Sequence, residues 1–152
     1  MVLATDLSVN FPTINAFKQM ISDKQWALCY YADGGYKGKV LHWLREKGAT
    51  PNGEGNGDYA GRTPLVCAAG SKYKQGEYGT RDPLGCMGAL LEAGADPNLP
   101  QSSDGVTPLG AAVKGEHWDR VEVLLQRGAR DDDLDGLDGL DGLDGLDATV
   151  AQ

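Results

Sequence analysis

A helical pattern that stops at the same glycine signal recurs three times in this chain, and that recurrence constrains its fold more than any other feature. Residues 90–98 read LLEAGADPN, with near-copies at 43–52 (WLREKGATPN) and 123–130 (VLLQRGAR). Aligned on Gly48, Gly94 and Gly128, the apolar residues fall in register. They are Leu41 and Leu44, then Met87, Leu90 and Leu91, then Val121, Leu124 and Leu125. Steps of three and four residues place each set on one face of a helix. A glycine suits the position after such a helix, where the chain commonly turns left-handed at a cost of about 1 kcal/mol or more for a residue bearing a Cβ. A sequence built this way folds as small units packed side by side, not around one large core.

The start signals repeat as well. Gly-x-Thr-Pro-Leu occurs at 61–65 and again at 105–109. Thr63 and Thr107 can cap a helix through the side-chain oxygen, and Pro64 and Pro108 stand at the first helical position, where a missing N–H is not needed. Leu65 and Leu109 open the buried face. The pairs Ala68-Ala69 and Ala111-Ala112 then let neighbouring helices approach closely, and Asp82-Pro83 repeats the cap-plus-proline arrangement.

These residues resemble the ankyrin repeat, which couples a Thr-Pro-Leu helix start, an alanine pair, a Leu-Leu helix and a Gly-Ala-Asp turn. The resemblance divides the chain into an N-terminal capping region at 1–25, an array at 26–130 and a tail at 131–152. The array holds three units, 26–57, 58–101 and 102–130, the first divergent because Trp26-Ala27-Leu28 replaces Thr-Pro-Leu. It implies an all-α, helix-turn-helix solenoid with protruding β-turn fingers. A short helix over 13–21, carrying Ile14, Phe17 and Ile21 on one face, is expected to cover the exposed end of the stack. The family usually carries a histidine after Thr-Pro-Leu that ties one repeat to the next; this chain has Val66, Gly110 and Cys29 there.

The formal net charge of -8 is concentrated in one place. Eight aspartates and no base lie at 131–147, whereas residues 1–130 balance fourteen acidic against fourteen basic side chains. A neutral body without a basic stripe does not suit nucleic acid. Three cysteines without C-x-x-C spacing suit neither zinc nor a disulfide framework and fit a reducing compartment. No stretch approaches the ~20 apolar residues of a membrane span. Together these features lead us to expect a soluble, cytoplasmic protein.

The resemblance implies recognition of another protein through the fingers and the inner helix face, with no cofactor and no small-molecule ligand. The glycine-rich finger at 52–61 (NGEGNGDYAG) offers Asn56, Asp58 and Tyr59, with Arg62 just beyond; the next finger, 99–105, offers Ser103 and Asp104. Tyr59 ranks first as an exposed rigid aromatic, against the alternative that it packs its finger on the neighbouring one. Between Ala69 and the second helix of the middle unit lies an insertion at 70–81 (GSKYKQGEYGTR), about nine or ten residues longer than the matching connection in unit three. It gathers Tyr73, Lys74 and Tyr78 beside Lys72 and Arg81, a surface suited to an acidic partner or a phosphate; the alternative is a tolerated loop with solvated charges. His42 and His117 lack partners at metal-ligand spacing, and Trp43 and Trp118 read as packing residues.

An adaptor or inhibitor that grips a partner protein is the leading reading. A microbial effector, an immunity protein sequestering a toxin, and a regulatory fragment of a larger enzyme share the same pattern. No nucleophile-base pairing and no phosphate-cradling loop points to catalysis. In the tail, leucine recurs every third residue from 134 to 146, a period of neither helix nor strand, and the composition is that of a self-repelling low-complexity segment. Asp131, Asp133, Asp135 and Gly136 match the opening of a calcium loop, but Gly142 stands where a bidentate glutamate belongs, so tight calcium binding is not expected.

Overall fold

The computed structural model describes Asn15 and residues 23–131. The cap helix expected at 13–21 lies, apart from Asn15, outside the described residues, as does the acidic tail beyond Asp131. Among residues 23–131 there are six α-helices: α1 (Lys24–Asp33), α2 (Lys37–Arg45), α3 (Pro64–Ala69), α4 (Pro83–Glu92), α5 (Pro108–Lys114) and α6 (Trp118–Gln126). Among the described residues there is no strand, only a single bridge between Gly55 and Ala60 at the base of the first finger.

Four of these helices, α1, α3, α4 and α5, begin where the sequence supplies acceptors. Thr63 accepts from the Val66 N–H at 3.4 Å, Thr107 from Gly110 at 3.0 Å and Asp82 from Gly85 at 2.8 Å. Pro64, Pro108 and Pro83 follow as the first helical residues. Asp23 caps α1 through the N–H groups of Gln25 and Trp26, a cap one turn ahead of the expected start at Trp26. Such caps contribute about 1 kcal/mol each. The stops are equally regular, with Gly48, Gly94 and Gly128 at φ +72, +104 and +97. The next residue then folds back: Ala95 donates to the Leu90 carbonyl and Ala129 to Leu124, both at 2.9 Å. In the first unit Ala49 reaches to Trp43, because WLREKGA holds one residue more than LLEAGA or LLQRGA.

The helices form two layers. α3 touches α1 on one side and α5 on the other, while α4 bridges α2 and α6 behind them. Every residue of α3 is buried as a result, and Ala68 and Ala69 let the helices on both sides close in. The core runs continuously through the stack, from Leu28 and Val40 through Leu65, Met87 and Leu90 to Leu109, Val121 and Leu124. This is an ankyrin-like all-α repeat fold.

What ties unit to unit is not a histidine but an asparagine. The Asn52 side chain donates to the Gly94 carbonyl at 3.1 Å and accepts from the Asp96 N–H at 2.7 Å. Asn98 repeats the pattern one unit on, donating to Gly128 at 3.1 Å and accepting from Arg130 at 2.7 Å. At the first unit Gln25 binds Thr50 and Gly53 in a comparable way. These bonds join the chain just after each helix-ending glycine.

Candidate functional site

The residues singled out in the sequence fall into two groups at opposite ends of the helices. In the first finger Tyr59 is only 9% exposed, not the projecting aromatic expected. Its ring stands edge-on to Trp26 and its hydroxyl donates to Asp33 at 2.9 Å. Burial, and then the Asp33 charge, raise the phenol well above its ordinary pKa. The apolar ring is worth more against α1 than in water, which removes the reason for ranking it first. Asn56 donates to Asp23 through its side-chain amide and keeps its side-chain Oδ1 buried without a partner among the described residues.

Arg62 lies over the Tyr59 ring at 5.3 Å and donates weakly to Gln101 at 3.4 Å. Gln101 in turn donates to Asp104, whose carboxyl is held below the usual range first by the Val106 N–H and then by that amide. Ser103 binds the Gly61 carbonyl through both its N–H and its hydroxyl, at 3.2 Å each, and Ser102 meets Glu54. The two fingers are therefore zipped together. A Cβ on Gly61, at φ +73, would collide with Ser103. Asp58 and Asp104 remain exposed at the outer edge.

The insertion at 70–81 is folded tightly onto the stack. Gly76 donates to the Arg81 carbonyl at 2.7 Å and closes the loop on itself, and Asp82 donates to Gly35 at 2.8 Å, tying its end to the turn between α1 and α2. At its start the Ser71 hydroxyl donates to the Asp33 carbonyl at 2.5 Å. Arg81 is the centrepiece: its guanidinium donates to Gly34 at 2.6 Å and sits between Tyr73 at 4.0 Å and Tyr36 at 4.2 Å. Tyr78, edge-on to Tyr73, points outward with 75% of its surface exposed. It is held there at φ +56, between Gly76 and Gly79, which also have positive φ. A tyrosine in that conformation is strained by about 1–2 kcal/mol, a feature that clusters at binding segments.

Arg120 fastens the other side of the insertion. Only 2% exposed, it donates from α6 to the carbonyls of Ala68 at 3.3 Å, Ala69 at 3.1 Å and Ser71 at 2.6 Å, and to Tyr73. The end of α3 leaves carbonyls without helical partners and carries the negative end of the helix dipole, so a buried cation is satisfied there without a carboxylate. Loss of water lowers the Arg120 pKa, with Asp119 opposing. Sequence reasoning missed this residue, although an arginine inside the stripe Val121, Leu124, Leu125 was a visible anomaly. It also missed that Arg81 holds the insertion, which no spacing rule reveals.

Among the described residues no cluster of histidine, cysteine and carboxylate could hold a metal, and no helix is long and apolar enough to cross a membrane. The three cysteines are buried, unpaired core residues. The Cys67 thiol is pushed up by its hydrogen bond with Cys29 and by burial, and burial followed by Asp82 takes Cys86 to about 12, so neither forms a thiolate readily.

The stretch that contains α3, the insertion and α4, residues 60–101, matches the family model of the ankyrin repeat. That segment is similar to an ankyrin repeat. Within it the Thr63-Pro64-Leu65 start and the Gly94-Ala95-Asp96 turn are separated by the insertion, which lengthens the repeat without disturbing either end. Ankyrin repeats are characteristically non-catalytic modules of protein–protein interaction, and this one displays an ordered aromatic surface. No curated protein matches the chain.

Proposed function

We propose that this chain is a non-enzymatic adaptor or inhibitor that binds a partner protein, and that the insertion, with Tyr73, Lys74 and Tyr78, supplies its principal contacts. The observation that carries the reading is an exposed tyrosine fixed on a rigid loop. Tyr78 stands free of the surface while Arg81 and Arg120 immobilise the segment beneath it. An aromatic held in place before binding contributes contact area at little further cost in entropy. Lys74, exposed beside it, adds charge at the rim.

The fingers take a secondary part. Asp58 and Asp104 are available at their edge, whereas Asn56, Tyr59, Arg62 and Ser103 hold the fingers in shape. The unpaired cysteines fit a reducing cytoplasm.

Affinity capture with the full chain as bait tests the reading. Proteins retained by the wild type should be lost with Tyr78→Ala and reduced with Lys74→Ala, while Tyr30→Ala, an exposed tyrosine on α1, leaves capture unchanged. Retention of the same proteins by the Tyr78 and Lys74 variants would sink it.

A further inference from the structure

Beside the insertion a groove of about 530 Å³ opens between the start of α2 and the end of the loop, lined by Tyr36, Lys37, Lys39, His42, Thr80 and Asp82. Its charge is one-sided. Lys37 and Lys39 line it with a single carboxylate, Asp82, one oxygen of which accepts from the Gly85 N–H at 2.8 Å and from the Gln75 amide at 2.5 Å. Tyr36 cannot offset the cations, because the Arg81 guanidinium covers its ring. The Lys39 ammonium lies 6.0 Å from the Tyr31 ring, an arrangement that leaves its charge uncancelled. The groove adjoins the loop that displays Tyr78, through Thr80, and that loop also carries exposed Lys72 and Lys74 with one carboxylate, Glu77, which accepts from the Lys74 N–H.

From this placement we infer that the groove receives an anionic peptide segment of the partner protein, carboxylate-rich or phosphorylated, with Lys37 and Lys39 binding its oxyanions and Thr80 offering a hydroxyl. The inference rests on the partner-binding reading and adds the chemistry of the partner. A concave floor bearing two ammonium groups concentrates field on an anion more than scattered surface lysines do. The body of the protein is close to neutral, with fourteen acidic and fourteen basic residues in 1–130, so the local excess at this groove is not a consequence of overall charge.

The test is fluorescence anisotropy on the full-length protein with three labelled peptides of equal length: glutamate-rich, phosphoserine-containing and glutamine-rich. The first or the second should bind, the choice naming the source of the anion, and the third should not. The double variant Lys37→Glu/Lys39→Glu should weaken binding by about tenfold or more, and raising salt should weaken the wild type in the same direction. Lys24→Glu/Lys47→Glu, which makes the same charge change at the finger end of the first unit, should bind as the wild type does. Circular dichroism shows whether each variant is folded, and Lys37→Gln/Lys39→Gln gives a milder form of the same test. Equal loss in both glutamate pairs, or no anionic peptide bound by the wild type, overturns the inference. If capture of a partner still depends on Tyr78 in that event, the binding-module reading stands and only the groove's role falls.

Discussion

Arg120 shows how one side chain couples a repeat to an insertion carried by its neighbour. It binds four carbonyls, and truncation takes this donor from all of them, with Ala68 keeping a further bond, from the Ser71 N–H. Arg120→Ala is therefore expected to destabilise the fold by about 3 kcal/mol, and Arg120→Lys to recover less than half of that, because an ammonium cannot span the same set. Urea midpoints at constant slope measure both. His117, three residues before it in the chain, provides a pH-dependent counterpart. Burial and the Arg120 charge lower its pKa below the ordinary 6.5, so the unfolded chain takes up the proton first. Its contribution is complete above pH 6.5 and is lost as the pH falls through the depressed value. The fall in stability between pH 7 and pH 5 should be smaller in His117→Gln than in the wild type, and an identical fall would show that His117 plays no part.

The helices were legible because their signals are local. A threonine or aspartate before a proline, a glycine after a leucine pair and apolar steps of three and four each act within one or two turns; α3, α4 and α5 begin, and α4 and α6 end, where those signals stand. What joins the elements was less legible. The Asn52 and Asn98 bonds depend on where the next unit's turn lies, so the sequence showed the asparagine but not its partner. Asn52→Ala and Asn98→Ala should each cost about 1 kcal/mol, additively, since the two rungs share no partner. Tyr59 misled for the same reason, as nothing local says that α1 covers it. At the insertion the tension between strain and contact can be separated by two substitutions. Tyr78→Gly relieves the positive φ and should raise stability by up to about 1 kcal/mol, whereas Tyr78→Ala keeps the strain and should not; both remove the exposed ring.

As a whole, the molecule is a short stack in which each helix pair buries a face against the next and the described residues hold no enclosed reaction centre. Its distinguishing features are additions to the repeat, not departures from it. The insertion enters between α3 and α4 and is fastened to all three units: to the first through Gly35 and Gly34, to its own through Gln75, which donates to Asp82 and accepts from the Leu84 N–H, and to the third through Arg120. Arginines from two units thus turn a loop that the sequence presented as a tolerated excursion into a rigid ridge. Loop length and composition could not distinguish the two cases, because the fastening carbonyls belong to the backbone and leave no trace in residue identity.

That rigidity is the claim on which the account depends, and native-state amide hydrogen exchange measures it directly. The Gly76 and Asp82 N–H groups, bonded to Arg81 and Gly35, should exchange slowly, within an order of magnitude of the Ala95 N–H at the end of α4. In Arg81→Ala they should lose that protection while Ala95 keeps it. Exchange of Gly76 and Asp82 in the wild type as fast as in an unstructured peptide would contradict the account.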